Sequence, residues 1–264
     1  MILNQEFVHC IKMTNFIVII PSRLSSTRLK EKALLDLHGK SLIERVYLRA
    51  IKSNASKVYI ATDSSKIEDH VKQFTPNVIM TSDEHKSGTD RVYECATKIN
   101  VSEDMIIVNV QGDEPFIDPE TINRTAEILS NNDKASVGSA CTLFNENDLN
   151  DPNNVKVSFT DKYKALTFSR NVDINDIDYY QHVGIYSYSY KILSEFVSLP
   201  RSKNEISENL EQLRFLDNGY DIYLEEISEL SIGIDTEHDY KKALEILSND
   251  CLLYTSPSPR DLRA

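Results

Sequence analysis

The segment Phe16-Ile17-Val18-Ile19-Ile20-Pro21-Ser22-Arg23 is the point from which the architecture of this chain can be worked out. Its first five residues are all apolar and mostly β-branched, a composition typical of a strand buried on both faces. Pro21 ends the apolar run, and a polar loop follows at once. Three further runs have the same character, at residues 57–61, 77–80 and 105–110. Together they predict a parallel sheet covered by helices on both faces.

Helix-start signals lie between these runs. Ser41 and Ser65 each precede a glutamate by three residues, which predicts a capping box. Ser87 stands in the same position ahead of Asp90, and Asp118-Pro119 combines a cap with a proline in the first turn. Strands and helices that alternate in this way predict a doubly wound, mostly parallel α/β sheet.

The second half of the chain is more mixed. Strands are predicted at residues 136–143, 155–159, 165–168 and 184–190, some of them antiparallel. Helices are predicted at residues 205–216, ended by Gly219, and at 236–247. No linker rich in Gly, Pro or Ser divides the halves, so we expect one α/β domain with an elaborated second half.

Composition narrows the class of function. The 264 residues include 41 acidic and 29 basic side chains, giving a formal net charge of -12, which argues against a nucleic-acid binder. The four cysteines have no metal-ligand spacing. The apolar run 16–20 is too short for a signal peptide or a membrane span. We therefore expect a cytoplasmic protein, or one that is soluble inside an organelle.

The loop after the first strand concentrates positive charge. Arg23, Arg28, Lys30 and Lys32 lie within ten residues of an otherwise acidic chain. Cations and backbone amides beyond a strand end are what a triphosphate needs, although a solvated basic loop would look the same. Neither G-x-G-x-x-G nor G-x-x-x-x-G-K-[ST] occurs, so neither a dinucleotide site nor a P-loop is supported.

Two aspartates are candidates for a divalent-cation site. Asp113 follows Gly112 at the end of the fourth strand, and Asp235 lies just before the last helix. Carboxylates at strand ends can reach Mg²⁺ bound to phosphates. Asp113 could instead be a turn former, and Asp235 could simply complement the helix dipole. Arg170 ends an apolar run and suits a carboxylate ligand, whereas His182 is about as suited to a structural role as to a sugar hydroxyl.

An ordered set of motifs runs through residues 13–247. It comprises Ile-Pro-Ser-Arg and Ser-Thr-Arg-Leu around residues 20–29, Ala61-Thr-Asp63, His85-x-Ser-Gly-Thr with Arg91, Val108-Asn-Val-Gln-Gly-Asp-Glu-Pro115, Phe168-Ser-Arg170, His182-x-Gly-Ile-Tyr186, Leu210-Glu-Gln-Leu-Arg214 and Gly233-Ile-Asp-Thr236. Each motif is weak alone, but the ordered set is specific. The chain resembles the 3-deoxy-manno-octulosonate (KDO) cytidylyltransferases, also called CMP-KDO synthetases, which have a nucleotide-diphospho-sugar transferase-like fold.

This resemblance implies the transfer of CMP from CTP to the anomeric hydroxyl of KDO, with release of pyrophosphate, for lipopolysaccharide or related glycan synthesis. It implies catalytic roles for Arg23, Lys32, Asp113 and Asp235, with Mg²⁺ held by the two aspartates. The nucleotide set that it implies is Pro21, Ser22, Arg23, Arg28, Lys32, Ser87, Gly88 and Gln111. The sugar set that it implies is Arg170, His182, Tyr186, Glu211 and Gln212. A homodimer is implied as well.

One feature of the chain departs from the family pattern. The family usually has Pro-Gly where this chain has Lys30-Glu31, which removes backbone freedom and adds a negative charge beside a triphosphate. The alternatives are a cytidylyltransferase for another acid sugar, such as amino-KDO or a nonulosonate, and a non-catalytic nucleotide- or sugar-binding relative.

We assign residues 13–250 to one nucleotidyltransferase domain, residues 1–12 to an N-terminal extension, and 251–264 to a non-native tail that resembles sequencing-adapter sequence.

Overall fold

The structure is a computed structural model that describes residues 14–26, 28–144, 151–171, 179–228 and 230–255. The predicted extension at residues 1–12 and most of the predicted tail lie outside these ranges. The strands are β1 (Phe16–Ser22), β2 (Lys57–Thr62), β3 (Val78–Met80), β4 (Ile106–Asn109), β5 (Val137–Thr142), β6 (Lys156–Phe159), β7 (Ala165–Ser169), β8 (Tyr180–Ser189) and β9 (Ile222–Glu226). The helices are α1 (Leu42–Ala50), α2 (Ser65–Val71), α3 (Gly88–Lys98), α4 (Pro119–Asn131), α5 (Tyr190–Ser198), α6 (Lys203–Glu208), α7 (Gln212–Asp217) and α8 (Glu237–Thr255), with a 3₁₀ turn at Lys32–Leu34.

The central sheet has the strand order β3-β2-β1-β4-β8-β5-β9. β1 pairs in parallel with β2 and β4, β2 pairs in parallel with β3, and β5 pairs in parallel with β9. Along this path β8 alone runs opposite to its neighbours β4 and β5. β6 and β7 add an antiparallel extension to β8. The predicted mostly parallel α/β sheet with a mixed second half is confirmed.

The first strand shows why its sequence lacks polar residues. Ile17 and Ile19 pack into one core, and Phe16, Val18 and Ile20 pack into the other, on the opposite face of the sheet. Alternate side chains of a strand point to opposite faces, so a strand covered on both sides favours apolar residues at successive positions. One core receives side chains from α1, α2, α4 and α8, and the other receives them from α3, α5 and α7.

Most of the predicted helix starts are confirmed. The hydroxyl of Ser41 accepts a hydrogen bond from the Glu44 amide, and Ser87 and Asp118 likewise cap α3 and α4. The prediction of Ser65 as the cap of α2 was wrong, because Ser64 accepts the hydrogen bond from the Ile67 amide. Ser64 has the extended backbone that a capping residue requires, whereas Ser65 is already helical.

The second half differs from prediction at several elements. The helix predicted at residues 205–216 is two helices, α6 and α7, separated where Asn209 adopts a left-handed backbone with φ of 53°. Asparagine is one of the residues that tolerate this conformation. β8 begins at Tyr180 rather than at residue 184, and Tyr190 opens α5 instead of ending the strand. The predictions had omitted α5 and β9 altogether. α8 continues to Thr255, past residue 250.

Among the helices that the structure describes, none combines the length and the apolar character needed to cross a membrane.

Candidate active site

A cleft of about 310 Å³ opens where β1 and β4 end. The loop after β1 forms one wall, and the first turn of α3 forms another. In doubly wound sheets the carboxyl ends of the strands are where ligands bind. The cleft is lined by Pro21, Ser22, Arg23, Ser25, Ser26, Arg28, Lys32, Ala33, His85, Lys86, Ser87, Gly88, Arg91, Gln111, Gly112, Asp113 and Asp235. All eight residues of the predicted nucleotide set are therefore in one place, together with both predicted metal ligands.

One ammonium group joins the two predicted metal ligands. Lys32 Nζ lies 2.7 Å from Asp113 Oδ2 and 2.7 Å from Asp235 Oδ1. Arg28 Nη2 lies 3.0 Å from Asp235 Oδ2. Burial by itself would lower the pKa of Lys32, but the two carboxylates outweigh it and raise the pKa above its ordinary value. Lys32 is therefore a permanently charged group at the centre of the cleft.

Backbone contacts hold these carboxylates at one point. The Ile234 amide donates to the Asp113 carbonyl at 2.9 Å, which fastens the segment before α8 to the end of β4. The side chain of Asp239 accepts hydrogen bonds from the Asp235 and Thr236 amides. Within the described ranges no group of three His, Cys, Asp or Glu side chains could hold a metal ion. Two carboxylates with phosphate oxygens and water suffice for Mg²⁺, so this donor set fits a nucleotide-bound cation.

A half-buried carboxyl that the predicted sets lacked follows Asp113 directly in the chain. Glu114 accepts a short hydrogen bond from the Ser231 hydroxyl. Burial, and then the neighbouring charge of Asp113, raise the pKa of Glu114 to about 7. A side chain at Gly233 would have its Cβ 2.9 Å from Glu114 Oε1. The only sequence signal for Glu114 was its place after Asp113 in the motif of residues 108–115.

Close backbone approach explains Gly112, another residue that the predicted sets lacked. A Cβ at Gly112 would lie 2.7 Å from the carbonyl oxygen of Pro21, closer than such contacts allow. Because this contact is with backbone, neither atom can turn away. Glycine is thus required where the chain leaves β4 and passes the loop after β1.

Ion pairs stabilise the start of α3, which forms the second wall of the cleft. The Arg91 guanidinium, only 3% exposed, lies 2.6 Å from Asp63 Oδ2 and also bonds Thr81. His85 makes a short contact with the carboxylate of Glu94. Burial alone would raise the pKa of Glu94, but hydrogen bonds led by Lys98 and the Ser82 amide lower it to about 2. His85, Lys86 and Arg91 also line the cleft. The predicted nucleotide set does not include them, although they lie within the motif His85-x-Ser-Gly-Thr with Arg91.

Three of the predicted sugar residues lie together beside the cleft. His182 and Tyr186 lie on one face of β8 with ring centroids 5.5 Å apart. Gly184, between them, leaves its face open towards Gln111, whose Cγ is 3.9 Å from a Cβ built there. Glu211 accepts a hydrogen bond from the Thr89 hydroxyl at 2.7 Å, which ties this group to the first turn of α3. The set is contiguous with the nucleotide wall.

These polar groups are largely removed from water. Burial lowers the pKa of His182 to about 3, so the imidazole is neutral near pH 7. Its Nε2 lies 2.9 Å from the Ser139 hydroxyl. Burial also raises the pKa of Glu211, and Gln212 is 4% exposed at the start of α7. The roles of His182, Tyr186, Glu211 and Gln212 in sugar binding stay predictions.

Arg170 lies apart from the residues that line the cleft. Its guanidinium donates to the carbonyls of Glu208 at 3.0 Å, Pro152 at 3.1 Å and Asn209 at 3.5 Å. The bonds to Glu208 and Asn209 satisfy carbonyls at the end of α6 that have no helical partner. Three of the five guanidinium N–H groups are used in this way. The predicted role of Arg170 as a carboxylate ligand stays a prediction.

Comparisons with known proteins show which family this chain matches. The family model described as cytidylyltransferase matches residues 17–227. A 3-deoxy-manno-octulosonate cytidylyltransferase of Francisella tularensis subsp. tularensis (strain FSC 198) is 40% identical over 249 residues, covering 89% of this chain and 100% of the relative. The enzyme of the same name from Parabacteroides distasonis is 41% identical over 253 residues, covering 90% and 100%.

Solved structures show the same fold. A CMP:2-keto-3-deoxy-manno-octonic acid synthetase complexed with CTP has a TM-score of 0.84 and 34% identity, covering 89% of this chain and 99% of that chain. A putative glucose-1-phosphate thymidylyltransferase from Bacillus anthracis has a TM-score of 0.65 at 18% identity, covering 88% and 94%, and this likeness concerns the fold alone. The chain belongs to the cytidylyltransferase family, among the 3-deoxy-manno-octulosonate cytidylyltransferases.

Proposed function

We propose that this protein transfers CMP from CTP to the anomeric hydroxyl of KDO and releases pyrophosphate. The observation that carries the proposal is the centre of the cleft, where Lys32 joins Asp113 and Asp235 beside two further cations of the same loop. A triphosphate needs clustered cations, and the carboxylates supply what a phosphate-bound divalent ion requires. Family membership and the CTP complex of a relative support CTP as the donor.

The residues of the loop after β1 act on the phosphates. Arg23, Arg28 and Lys32 place three positive charges along one wall of the cleft. They offset the charge of the triphosphate and of the departing pyrophosphate, which is electrostatic stabilisation by groups that are already in position. Gly88 and Gln111, on the other wall, would contact the nucleoside.

Asp113 and Asp235 would hold Mg²⁺. Both carboxylates lie within 2.7 Å of a single cationic atom, Lys32 Nζ, so they already converge on one positive charge. When bound, Mg²⁺ would polarise phosphate oxygens and offset their charge.

The sugar would enter from the side of β8. His182, as a neutral imidazole, can exchange a hydrogen bond with a sugar hydroxyl, and Gln212 and Glu211 offer further polar atoms. The anomeric hydroxyl attacks the α-phosphorus and gives up its proton to solvent, a C–O–P link forms, and the bond from the α-phosphorus to the bridging oxygen of pyrophosphate breaks. The chain contributes position and charge, and no covalent enzyme intermediate is needed.

The wider setting forms part of this proposal. The product would feed lipopolysaccharide or related glycan synthesis, the protein would be cytoplasmic, and it would act as a homodimer. The names of its relatives support the product. No observation on this chain favours amino-KDO, a nonulosonate or a non-catalytic role, which become outcomes of the test below.

The test uses the full chain with CTP, Mg²⁺ and a panel of acid sugars, and it follows pyrophosphate release. We expect release with KDO, and we expect Asp113→Ala and Asp235→Ala each to abolish turnover. Asp133→Ala, which changes an exposed aspartate that does not line the cleft, is the control and should keep the full rate. Faster release with another acid sugar would replace KDO as the substrate. CTP binding without release would favour a binding relative, and near-full activity of either cleft variant would refute the two-carboxylate centre.

A further inference from the structure

Glu31 has a backbone conformation that side chains rarely adopt. Its φ of 52° and ψ of 38° are left-handed, the region that glycine enters most readily. The residue stands directly before the 3₁₀ turn Lys32–Leu34, and its carbonyl accepts the hydrogen bond from the Leu34 amide that closes this turn. Its side chain makes no capping hydrogen bond to the turn. The strained residue therefore sets the direction in which Lys32 leaves the loop.

An ion pair holds the side chain of Glu31. Lys66 Nζ lies 2.5 Å from Glu31 Oε2, with Lys66 about half exposed. The hydrogen bond from Lys66 lowers the pKa of Glu31, so the carboxylate is charged near neutral pH. Lys66 belongs to α2, which is anchored by the Ser64 cap and by the fully buried Ile67. The loop residue Glu31 is thus tied to α2.

The same ion pair determines the position of the Glu31 carboxylate relative to the cleft. Glu31 immediately precedes Lys32, yet it is absent from the lining of the cleft, whereas Lys32 and Arg28 belong to that lining. The carboxylate is paired on the side of α2 instead. A carboxylate freed from this pair would add a repulsive charge near the phosphates, which interact with Arg28 and Lys32 in the proposed function.

We infer that Glu31 and Lys66 form a positioning pair for the nucleotide loop: Lys66 fastens the left-handed turn and withdraws the carboxylate of Glu31, so that Lys32 meets Asp113 and Asp235. The inference rests on the proposed nucleotide site. It makes Lys66, which does not line the cleft, important for CTP binding through Glu31. Lys66 should matter only while residue 31 is glutamate. A glycine at position 31 would need neither the ion pair to hold its backbone nor a positive charge to neutralise a carboxylate.

The test is a cycle of three variants: Lys66→Met, Glu31→Gly and the double variant. CTP affinity is measured by calorimetry without sugar, and KM for CTP and for KDO by pyrophosphate release. Lys66→Met should weaken CTP binding about twofold to fivefold, the range expected for an exposed ion pair, and should leave KM for KDO unchanged. Glu31→Gly should bind CTP more tightly than the wild type, because it removes both the strain and the carboxylate. The double variant should match Glu31→Gly.

Lys72→Met is the matched control. Lys72 follows α2 directly, is about half exposed and pairs with Glu68, so its loss should leave CTP affinity unchanged. Thermal unfolding confirms that each variant is folded. The inference is overturned if Lys66→Met is equally harmful when residue 31 is glycine, since Lys66 would then act on the ligand directly. It is also overturned if Lys66→Met leaves CTP affinity intact. Binding is read without turnover, so a failure of the proposed reaction would be recognised separately.

Discussion

Arg214→Met should destabilise the fold by removing the partner of a buried carboxylate. Arg214 Nε and Nη2 lie 2.7 and 2.6 Å from the two carboxylate oxygens of Glu205, and the side chains are 8% and 1% exposed. The guanidinium also lies over the Phe196 ring, 4.4 Å from its centroid. Breaking a buried pair from one side costs about 3–5 kcal/mol, because the other charge stays buried.

A second arginine reduces this cost. Arg201 Nε lies 2.9 Å from Glu205 Oε1, but its side chain is 53% exposed, so the contact is worth about 1 kcal/mol or less. We therefore expect Arg214→Met to lower the free energy of unfolding by about 2–4 kcal/mol. Arg201→Met, the matched control, should lower it by about 1 kcal/mol at most. Urea unfolding at pH 7, followed by circular dichroism, measures both.

The pH dependence provides a further check on Glu205. Burial would raise its pKa, but the hydrogen bonds from Arg214 and Arg201 outweigh burial and lower the pKa below its ordinary value. The stability from this pair is fully present above the unfolded pKa of about 4.3, and it is lost as the pH falls through the lower folded value. The difference between wild type and Arg214→Met should therefore shrink in acid. A loss under about 1 kcal/mol at pH 7, or a difference that grows in acid, would refute the buried-pair reasoning.

Three further predictions concern the site and its supports. The His182 imidazole should stay neutral from pH 5 to 9, because burial lowers its pKa to about 3; a nitrogen NMR titration with a midpoint near pH 6.5 would contradict this. Lys156, 1% exposed, donates hydrogen bonds to three backbone carbonyls. Lys156→Met should therefore lower the free energy of unfolding, measured in urea, by about 2–4 kcal/mol. An unchanged free energy of unfolding would show that these bonds contribute little. Gly112→Ala should weaken CTP binding at least about tenfold, because the new Cβ meets the Pro21 carbonyl. Gly219→Ala is the control: a Cβ there has no atom within 4 Å, so this variant should lower stability alone. Equal CTP affinity in both variants would exclude the steric explanation.

Local chemistry made much of the fold predictable. The apolar run of β1 could be interpreted because burial on both faces of a strand favours apolar side chains at successive positions. The caps at Ser41, Ser87 and Asp118 depend on a side chain and an amide two or three residues away. The Ser64–Ser65 error had the same local origin, since two adjacent serines offer nearly the same signal.

The family resemblance named the residues of the site, but it did not describe their contacts. Arg170 and His182 show the limit. The sequence placed both near strand ends, and it left the histidine open between a ligand and a structural residue. The structure shows that three guanidinium N–H groups of Arg170 are bound to carbonyls, and that His182 is buried against Ser139. Which hydrogen-bond partners remain free depends on neighbours that are far away in sequence.

The sequence by itself determined a parallel sheet with an apolar core on each face, most of its helix starts and a basic loop at the end of the first strand. Each of these depends on periodicity or on residues that are close together in the chain. Only the tertiary structure decided that β8 lies between β4 and β5 in the opposite direction. It alone decided that Lys32 meets Asp113 and Asp235, which are 81 and 203 residues away. It also decided that Glu31 turns to Lys66. Such contacts arise from the packing of whole elements against one another, and no local pattern of residues specifies them.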